Sequence, residues 1–255
     1  MNAVIFAGPS LPPNLRPPDP ALIWRPPVRQ GELYRAALTR PAIIGVVDGY
    51  FEVTPTVWHK EILWAMAQGT HVYGSASIGA LRAAELAPFG MQGVGQIYEA
   101  FRDGILEDDD EVAVLHGPEE LGYPVVTDAM VNIRATLAAA TDSCILGPSQ
   151  AAHMTDIAKA LFYKDRTYSA TLQTAVRQGL KQGSLRDFTE WLRQGRIDLK
   201  LHDALEMVAI IQDRLALGVP ALRVSYAMAH TSAWEAFRQP PKREFTGDLT
   251  IKPIT

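Results

Sequence analysis

At residues 71–86 the chain reads HVYGSASIGALRAAEL, and this stretch decides the fold class. Its first residues are β-branched and aromatic and end at Gly74, which predicts a short buried strand. The residues after Gly79 are rich in alanine and contain no helix breaker, which predicts a helix. A serine between small residues at such a transition is typical either of a helix cap or of a nucleophile held at a sharp turn.

Apolar runs before this stretch predict two further strands, at residues 3–8 and 42–49. The second run is apolar at consecutive positions, which is typical of a central parallel strand. A helix is predicted over residues 54–69, and a fourth short strand after the acidic run at 107–111. Alternating strands and helices favour parallel pairing through right-handed crossovers. We therefore predict an α/β fold with a small, mostly parallel sheet and flanking helices, either Rossmann-like or novel.

The length and composition fit one α/β domain followed by a helical region. The chain has 255 residues, of which 47% are hydrophobic and 20% are charged, as in ordinary soluble globular proteins. We predict an α/β core over residues 1–146 that carries the site, an all-helical region over 147–237, and a polar tail over 238–255 that is flexible or docked on a partner. The proline-rich segment 12–28 is predicted to be an extended surface connection.

Charge, cysteine and motif content argue against several classes of function. The net charge of −4 comes without a long basic run, so nucleic acid is not expected as the main ligand. The single cysteine, Cys144, fits the reducing cytosol. Neither a signal peptide nor a membrane span is recognised, so we expect a cytoplasmic protein. Because no HExxH, paired CxxC, P-loop or GxGxxG pattern is present, we expect neither a metal nor a cofactor.

Ser77 is the candidate nucleophile of the sequence. Open α/β sheets bind ligands at the carboxyl ends of their strands, where the turn after the third predicted strand is expected to lie. Gly74 and Gly79 flank this turn and permit a sharp bend or the close approach of a slender substrate. Ser75 is the local alternative nucleophile and Ser10 a remote one, while the alternative interpretation of Ser77 is a helix cap.

A serine nucleophile needs a base, and Lys60 is the candidate. Thr56, Lys60 and Trp64 share one face of the predicted helix at i, i+4 spacing. A lysine lodged among apolar neighbours is partly desolvated, which lowers its pKa and makes a neutral amine available near neutral pH. The alternative is a lysine whose stem covers Trp64 while its ammonium stays in water.

Three further side chains are candidates for binding at the same crevice. Asp48 closes the second predicted strand and can orient a base, although Asp-Gly is also common turn chemistry. Arg82 places a cation within two turns of Ser77, suited to a carboxylate or thiocarboxylate, or forms a simple surface pair with Glu85. His116, at the end of the predicted fourth strand, is the histidine best placed to reach the crevice.

The acidic run EDDDE at residues 107–111 is a separate feature of the sequence. Its spacing does not match a calcium-binding loop, which needs interleaved residues, a central glycine and a later glutamate. The run therefore indicates a solvated face or a docking surface for a basic partner.

Several motifs of the chain closely resemble those of the TfuA-like proteins. They occur in one order between Ala3 and about Leu137 and include VIFAGPSL, GVVDGYFE, VWHKEILWA, GSASIGALRAAELAPFGM, DGILEDDDEVAVLHGP and AMVNIRATL. The region from Gly147 onward is similar much more loosely. Members of this family are encoded beside YcaO proteins, so the resemblance implies YcaO as a partner.

The resemblance implies a role in peptide backbone thioamidation, in which sulfur replaces an amide oxygen. YcaO activates the amide with ATP, and the TfuA-like partner is implied to hydrolyse a thiocarboxylated ThiS-like sulfur carrier, releasing sulfide, and to help YcaO engage its peptide. A Ser–Lys pair is the catalytic feature that the family implies. On the matching motifs it falls on Ser77 in GSASIG and Lys60 in VWHKEI. Ser75 stands where alanine is more familiar, so it remains the alternative nucleophile.

Two other classes of function stay open at this point. A non-catalytic adaptor would dock YcaO with its peptide or sulfur carrier, with Ser77 as a cap and Lys60 as a surface contact. A small-molecule binding domain would use the crevice for a nucleotide or anion, although the lack of a phosphate loop argues against it. The sequence also allows a homo-oligomer.

Overall fold

The computed structural model describes residues 1–52 and 54–238 and contains a five-stranded, fully parallel sheet. The strands lie in the order β2-β1-β3-β4-β5, and their bounds are β1 Ala3–Phe6, β2 Leu22–Arg25, β3 Ile43–Val46, β4 His71–Ser75 and β5 Gln92–Val94. This confirms the predicted α/β class with a mostly parallel sheet and flanking helices. The order 2-1-3-4-5 is one of the common doubly wound arrangements.

Helices flank the sheet and then continue without strands to residue 238. Their bounds are α1 Glu32–Leu38, α2 His59–Ala67, α3 Ile78–Leu86, α4 Gln96–Arg102, α5 Met130–Asp142, α6 Pro148–Ala160, α7 Tyr168–Arg177, α8 Gln182–Gly195, α9 Leu199–Leu217 and α10 Ser232–Arg238. The all-helical character predicted from residue 147 is confirmed. The predicted polar tail lies outside the described residues except for Arg238.

The two faces of the sheet are covered by different parts of the chain. Side chains alternate between the faces along each strand, and α1, α2 and α3 bury one face against residues such as Val4 and Ile44. The other face packs against α9, whose Met207 and Ile211 contact the cluster that contains Ile5. The helical region is therefore divided in its packing, since α9 completes the α/β core while α5 to α8 form a cluster of their own.

Two predicted elements differ in the structure, and one strand of the sheet was not predicted. The proline-rich segment 12–28 contains the edge strand β2, because residues 22–25 carry a short run of apolar residues between the prolines and pair with β1. The predicted fourth strand after residue 111 is replaced by a 3-10 turn at Asp109–Glu111 and a single antiparallel bridge between His116 and Val125. The sheet gains β5 instead, a strand too short to show a pattern in the sequence.

Helix α2 begins at His59 rather than near Thr54 because a different residue caps it. The Glu61 carboxylate accepts hydrogen bonds from the backbone N–H groups of Trp58, Gly31 and Tyr34 at 2.9–3.1 Å. Those bonds tie the first turn of α2 to α1, and burial raises the pKa of Glu61. Thr54 and Thr56 lie in the preceding loop, so Thr56 does not share a helix face with Lys60.

Gly74 and Gly79 allow α3 to lie directly on the sheet. A Cβ atom on Gly79 would lie 1.8 Å from the backbone oxygen of Val46, and one on Gly74 would lie 2.1 Å from the oxygen of Gly79. Both contacts are with backbone, which cannot move as a flexible side chain can. The structure thus explains both glycines by helix–strand packing.

Replacing Gly79 with alanine is therefore expected to lower the free energy of unfolding by about 3 kcal/mol, at the upper end of typical overpacking costs. Gly183 in α8 is the matched control, because a Cβ there meets nothing within 4 Å. Gly183→Ala is expected to leave stability unchanged or to raise it by up to about 1 kcal/mol. Urea unfolding of both variants measures the difference, and equal midpoints would contradict the packing explanation.

None of the described helices is long and apolar enough to span a bilayer.

Candidate functional site

A cavity of about 910 Å³ lies at the carboxyl end of the sheet. It is lined by the β3–α2 loop, α3, residues 107–109 and 112–118, the α6–α7 loop and α9. Four residues predicted as site residues line it together, namely Asp48, Ser77, Arg82 and His116. The structure therefore brings these four into one site, at the size typical of ligand pockets.

Asp48 lies where the strand order reverses between β1 and β3, the place at which doubly wound sheets bind ligands. Its buried carboxylate accepts hydrogen bonds from the N–H groups of Gly8 and Ser10 at 2.8 and 3.0 Å and from Ser10 Oγ at 2.6 Å. These bonds tie the loop after β1 to the end of β3. The Asp48 side chain is thus held in one orientation in the wall of the cavity.

Ser77 lies at the N-terminus of α3 but does not cap it. Its side chain makes no capping hydrogen bond, and the residue retains 8% of its exposure at the cavity wall. The preceding Ala76 has φ +65°, and Ser77 N–H donates to Ser75 O at 2.7 Å, which is a tight three-residue turn. This turn places Ser77 in the cavity wall with its hydroxyl free of a capping hydrogen bond.

Of the five described non-glycine residues with positive φ, three lie at or beside the cavity, while Arg40 and Cys144 do not line it. Among the described non-glycine residues with positive φ, Ala76 precedes Ser77, Glu52 lines the cavity, and Tyr123 packs its ring 5.7 Å from that of His116. Such conformations cost about 1–3 kcal/mol each and cluster at functional sites. The strain supports the assignment of this cavity as the site.

The two alternative serines are held by hydrogen bonds elsewhere. Ser75 is fully buried, and its Oγ donates to Asp203 O at 2.8 Å. Ser10 Oγ donates to Asp48 Oδ1 and faces a smaller, second cavity of about 260 Å³. Neither lines the main cavity, so Ser77 is the serine that the structure places there.

Asp203 joins three elements beneath Ser77. Its backbone oxygen accepts from Ser75 in β4, and its Oδ2 accepts from Ile97 N in α4 at 2.8 Å. Burial raises the pKa of Asp203 to about 6, against the opposing effect of the N–H groups of Ile97 and Gln96.

We expect the raised pKa of Asp203 to make stability depend on pH. The folded state binds the proton more tightly than the unfolded chain, so this stabilisation is present below pH 4 and is lost as the pH rises through 6. With a pKa shift of about 2, the change is roughly 3 kcal/mol. The Asp203→Asn variant should lack this pH-dependent change in the free energy of unfolding. Denaturant unfolding of both proteins between pH 4 and 7 measures it. If the free energy of unfolding depends on pH in the same way for the native protein and for Asp203→Asn, this prediction is wrong.

Lys60 lies outside the residues that line the cavity. Its Nζ donates to Thr231 Oγ1 at 2.8 Å and to Ala229 O at 3.2 Å, in the segment that leads into α10. In the structure, Lys60 therefore ties the C-terminal segment to α2. The pairing of Ser77 with Lys60 stays a prediction that these contacts do not support.

Two lysines line the cavity together with Ser77 and Asp48. Lys164 is exposed and pairs with Glu52, whereas Lys200 of α9 is buried. It retains 3% of its exposure, and its Nζ donates to Val112 O at 2.6 Å. Burial lowers the pKa of the Lys200 amine, and the charges of Asp48 and Asp198 only partly oppose this effect. Lys200 also lines the second cavity, so it stands between the two.

The sequence analysis missed Lys200 because all of the site residues that it predicted lie in the α/β core and none in the helical region. One signal was present in the pattern of α9, whose buried positions are Lys200, Asp203, Ala204, Met207, Val208 and Ile211. The lysine is in phase with the apolar stripe that packs on the sheet. A lysine in such a register must be either desolvated or paired, which marks it as a candidate base.

Arg82 is 9% exposed and lies on the face of α3 that forms a cavity wall. Its Nη1 donates to Glu85 Oε2 at 2.5 Å, so the pair predicted from the i, i+3 spacing is present. Its Nε is shielded from solvent and has no hydrogen-bond partner among the described residues. The guanidinium thus keeps unused donors, which suits a carboxylate or thiocarboxylate.

His116 lines the cavity in one defined tautomer. Its Nδ1 lies 2.7 Å from Gly117 O, and a carbonyl can only accept, so the neutral ring carries its hydrogen on Nδ1. Nε2 is then left as an acceptor. Tyr50 and Tyr123 hold the ring from two sides, at centroid distances of 6.0 and 5.7 Å.

The acidic run at 107–111 is only partly a solvated face. Lys159 pairs with Asp108, Asp110 and Glu111, Arg166 pairs with Asp110, and Arg134 pairs with Glu111. These pairs attach the run to α5, α6 and the α6–α7 loop. Glu107 and Asp109 form no ion pair within the described part of the chain, and both line the exposed end of the cavity.

Within residues 1–52 and 54–238, no cluster of three or more His, Cys, Asp or Glu side chains is arranged to hold a metal ion. No curated protein matches the chain. A family model described as TfuA-like protein matches residues 48–167, a segment that begins at Asp48, includes Ser77, Arg82 and His116, and ends before Lys200. Over residues 48–167, just under half of its length, the chain is therefore similar to the TfuA-like family.

Proposed function

We propose that this protein hydrolyses the thiocarboxylate of a small ThiS-like sulfur carrier and thereby supplies sulfide to a YcaO protein that thioamidates a peptide. The TfuA-like family is associated with YcaO-dependent thioamidation. The single observation that carries the hydrolytic step is the cavity in which the unbonded Ser77 hydroxyl and the desolvated Lys200 amine lie together.

Ser77 and Lys200 form the catalytic pair of this proposal, and a Ser–Lys pair is a known variant of the Ser–His arrangement. Ser77 Oγ attacks the carbonyl carbon of the thiocarboxylate, and neutral Lys200 accepts the hydroxyl proton. Lys200 then passes this proton to the departing sulfur as the carbon–sulfur bond breaks. Hydrosulfide leaves, and an acyl ester on Ser77 remains.

Water completes the reaction in the same site. Lys200, neutral again, accepts a proton from a water molecule that attacks the ester carbon, and the ester bond to Ser77 Oγ breaks as that oxygen regains a proton. The products are the carrier with an ordinary carboxylate, hydrosulfide and one proton. His116 Nε2 is a second acceptor at the cavity wall that can orient the attacking water.

Two groups stabilise the negative charge of the substrate and the intermediate. Arg82 offsets the charge of the thiocarboxylate, which would otherwise repel an approaching nucleophile. The N–H of Ile78, the first residue of α3, donates to no acceptor among the described residues and can bind the oxyanion. Gly79 N–H does not serve this purpose, because it donates to Val47 O at 3.3 Å.

The test is to incubate the purified protein with thiocarboxylated carrier and to measure sulfide with time. We expect sulfide release together with an acyl adduct on Ser77, which mass spectrometry of acid-quenched samples detects. Carrier that ends in an ordinary carboxylate is the control and should give neither. Sulfide release no faster than that of the carrier alone would contradict the proposal.

A non-catalytic adaptor is the second candidate, and one observation favours it. The segment near the cavity exposes a group of large apolar side chains, with Leu115 41%, Leu121 71%, Val125 49% and Val126 59% exposed. An adaptor would support thioamidation by YcaO with added inorganic sulfide even when Ser77 is alanine. A hydrolase would be required only when the thiocarboxylated carrier is the sulfur source.

A further inference from the structure

One wall of the cavity is a continuous face of α3. Ile78, Leu81, Arg82 and Glu85, at helical spacing i, i+3, i+4 and i+7, all line the cavity. From Ser77 to Glu85 the helix rises about 12 Å. An extended chain rises about 3.3 Å per residue, so this wall matches three to four extended residues.

The cavity has a buried end and an exposed end. Ser77 and Lys200 are buried at one end, whereas Glu85, Glu107 and Asp109 are exposed at the other. A chain that enters from the exposed end therefore reaches the serine with its terminus.

Unpaired polar groups of α3 and of the loop before α2 also line the cavity. Thr54 Oγ1, Thr56 Oγ1 and Arg82 Nε are buried, have no hydrogen-bond partner among the described residues, and belong to residues that line the cavity. A buried polar group without a partner costs about 1–3 kcal/mol, and such groups are rare in folded proteins. Hydroxyl and guanidinium groups in this position complement the carbonyl and N–H groups of a peptide main chain.

We propose that the cavity binds an extended C-terminal peptide segment of three to four residues, with its terminal carbonyl at Ser77 and its main chain paired with Thr54, Thr56 and Arg82. This inference rests on the proposed function and names the substrate class of the same site. The occupant is the flexible tail of the sulfur carrier, while the folded body of the carrier stays outside the exposed end. The volume of about 910 Å³ is far larger than a thiocarboxylate group alone requires.

The test uses acetylated oligoglycine thioacids of one to five residues, because the proposed contacts involve only the main chain. We expect kcat/KM for sulfide release to rise by roughly tenfold or more between one and four residues and to level off at the fifth. Equal kcat/KM for all lengths would overturn the inference while leaving the hydrolytic function intact.

Two variants test whether Thr54 and Thr56 cause the dependence of kcat/KM on the length of the thioacid. In Thr54→Val and Thr56→Val, kcat/KM should fall several-fold more for the four-residue thioacid than for the one-residue thioacid. Thr39→Val is the matched control, because Thr39 follows α1 at the opposite edge of the sheet and its Oγ1 donates to Ala36 O at 2.8 Å. A uniform loss for all lengths would overturn the assignment of these threonines to the tail.

Oligoglycines with ordinary carboxyl termini release no sulfide, so their binding tests recognition of the peptide tail separately from hydrolysis of the thiocarboxylate. Calorimetry should show binding of the four-residue peptide at least tenfold tighter than binding of the one-residue peptide. If every thioacid is inert while this preference persists, the inference holds and the hydrolase proposal fails. If no peptide binds, the inference fails.

Discussion

Replacing Ser77 with alanine is expected to reduce the rate of sulfide release by ~10³-fold or more, the typical effect of removing a covalent nucleophile. The variant should still fold, because the Ser77 hydroxyl makes no capping hydrogen bond and its loss leaves no partner unsatisfied. Sulfide release from thiocarboxylated carrier measures the effect, and circular dichroism checks the fold.

Ser75→Ala is the matched control for this experiment, two positions away in the same turn. Ser75 Oγ donates to Asp203 O within the core, so this variant should lose about 1 kcal/mol of stability and keep most of its activity. If Ser77→Ala releases sulfide as fast as the native protein, covalent catalysis by Ser77 is wrong. If only Ser75→Ala loses activity, Ser75 is the nucleophile.

Replacing Lys200 with methionine is expected to lower the rate of sulfide release by ~10²–10⁴-fold, the usual contribution of a general base. Methionine keeps the apolar stem and removes the amine, whose protonated form is destabilised by burial. Removing the amine relieves its unfavourable burial but also removes the hydrogen bond to Val112 O, so these two effects offset one another and stability at neutral pH should change little. A loss of activity without a loss of stability would mark Lys200 as functional.

The pH dependence of the rate and a control variant at Lys60 test further whether Lys200 is the base. Because the catalytic amine must be neutral, the native rate should rise with pH through the lowered pKa of Lys200. Lys60→Met is the matched control, and it should change the rate by no more than a few-fold while loosening the contact with Thr231. If Lys60→Met is inactive and Lys200→Met is active, Lys60 is the base.

Much of the architecture could be predicted because it depends on local patterns. The apolar run that ends at Asp48 and the strand-to-helix transition around Ser77 indicated parallel strands whose carboxyl ends share one edge. That geometry places Asp48, Ser77, Arg82 and His116 in one cavity, although the strand predicted to carry His116 is a loop with a single bridge. A short strand such as β5, with three residues, has too few positions to show a period.

The sequence by itself determined the parallel α/β class, the strands β1, β3 and β4 and the serine turn, because these follow from residue periodicity and from the glycines that turns and close packing require. Only the tertiary structure decided that a buried lysine, Lys200, lines the same cavity as Ser77. A base is selected by distance in space, and α9 lies over the sheet through contacts made far along the chain from β3 and β4. The same packing that buries Met207 and Ile211 carries Lys200 into the cavity and removes it from water.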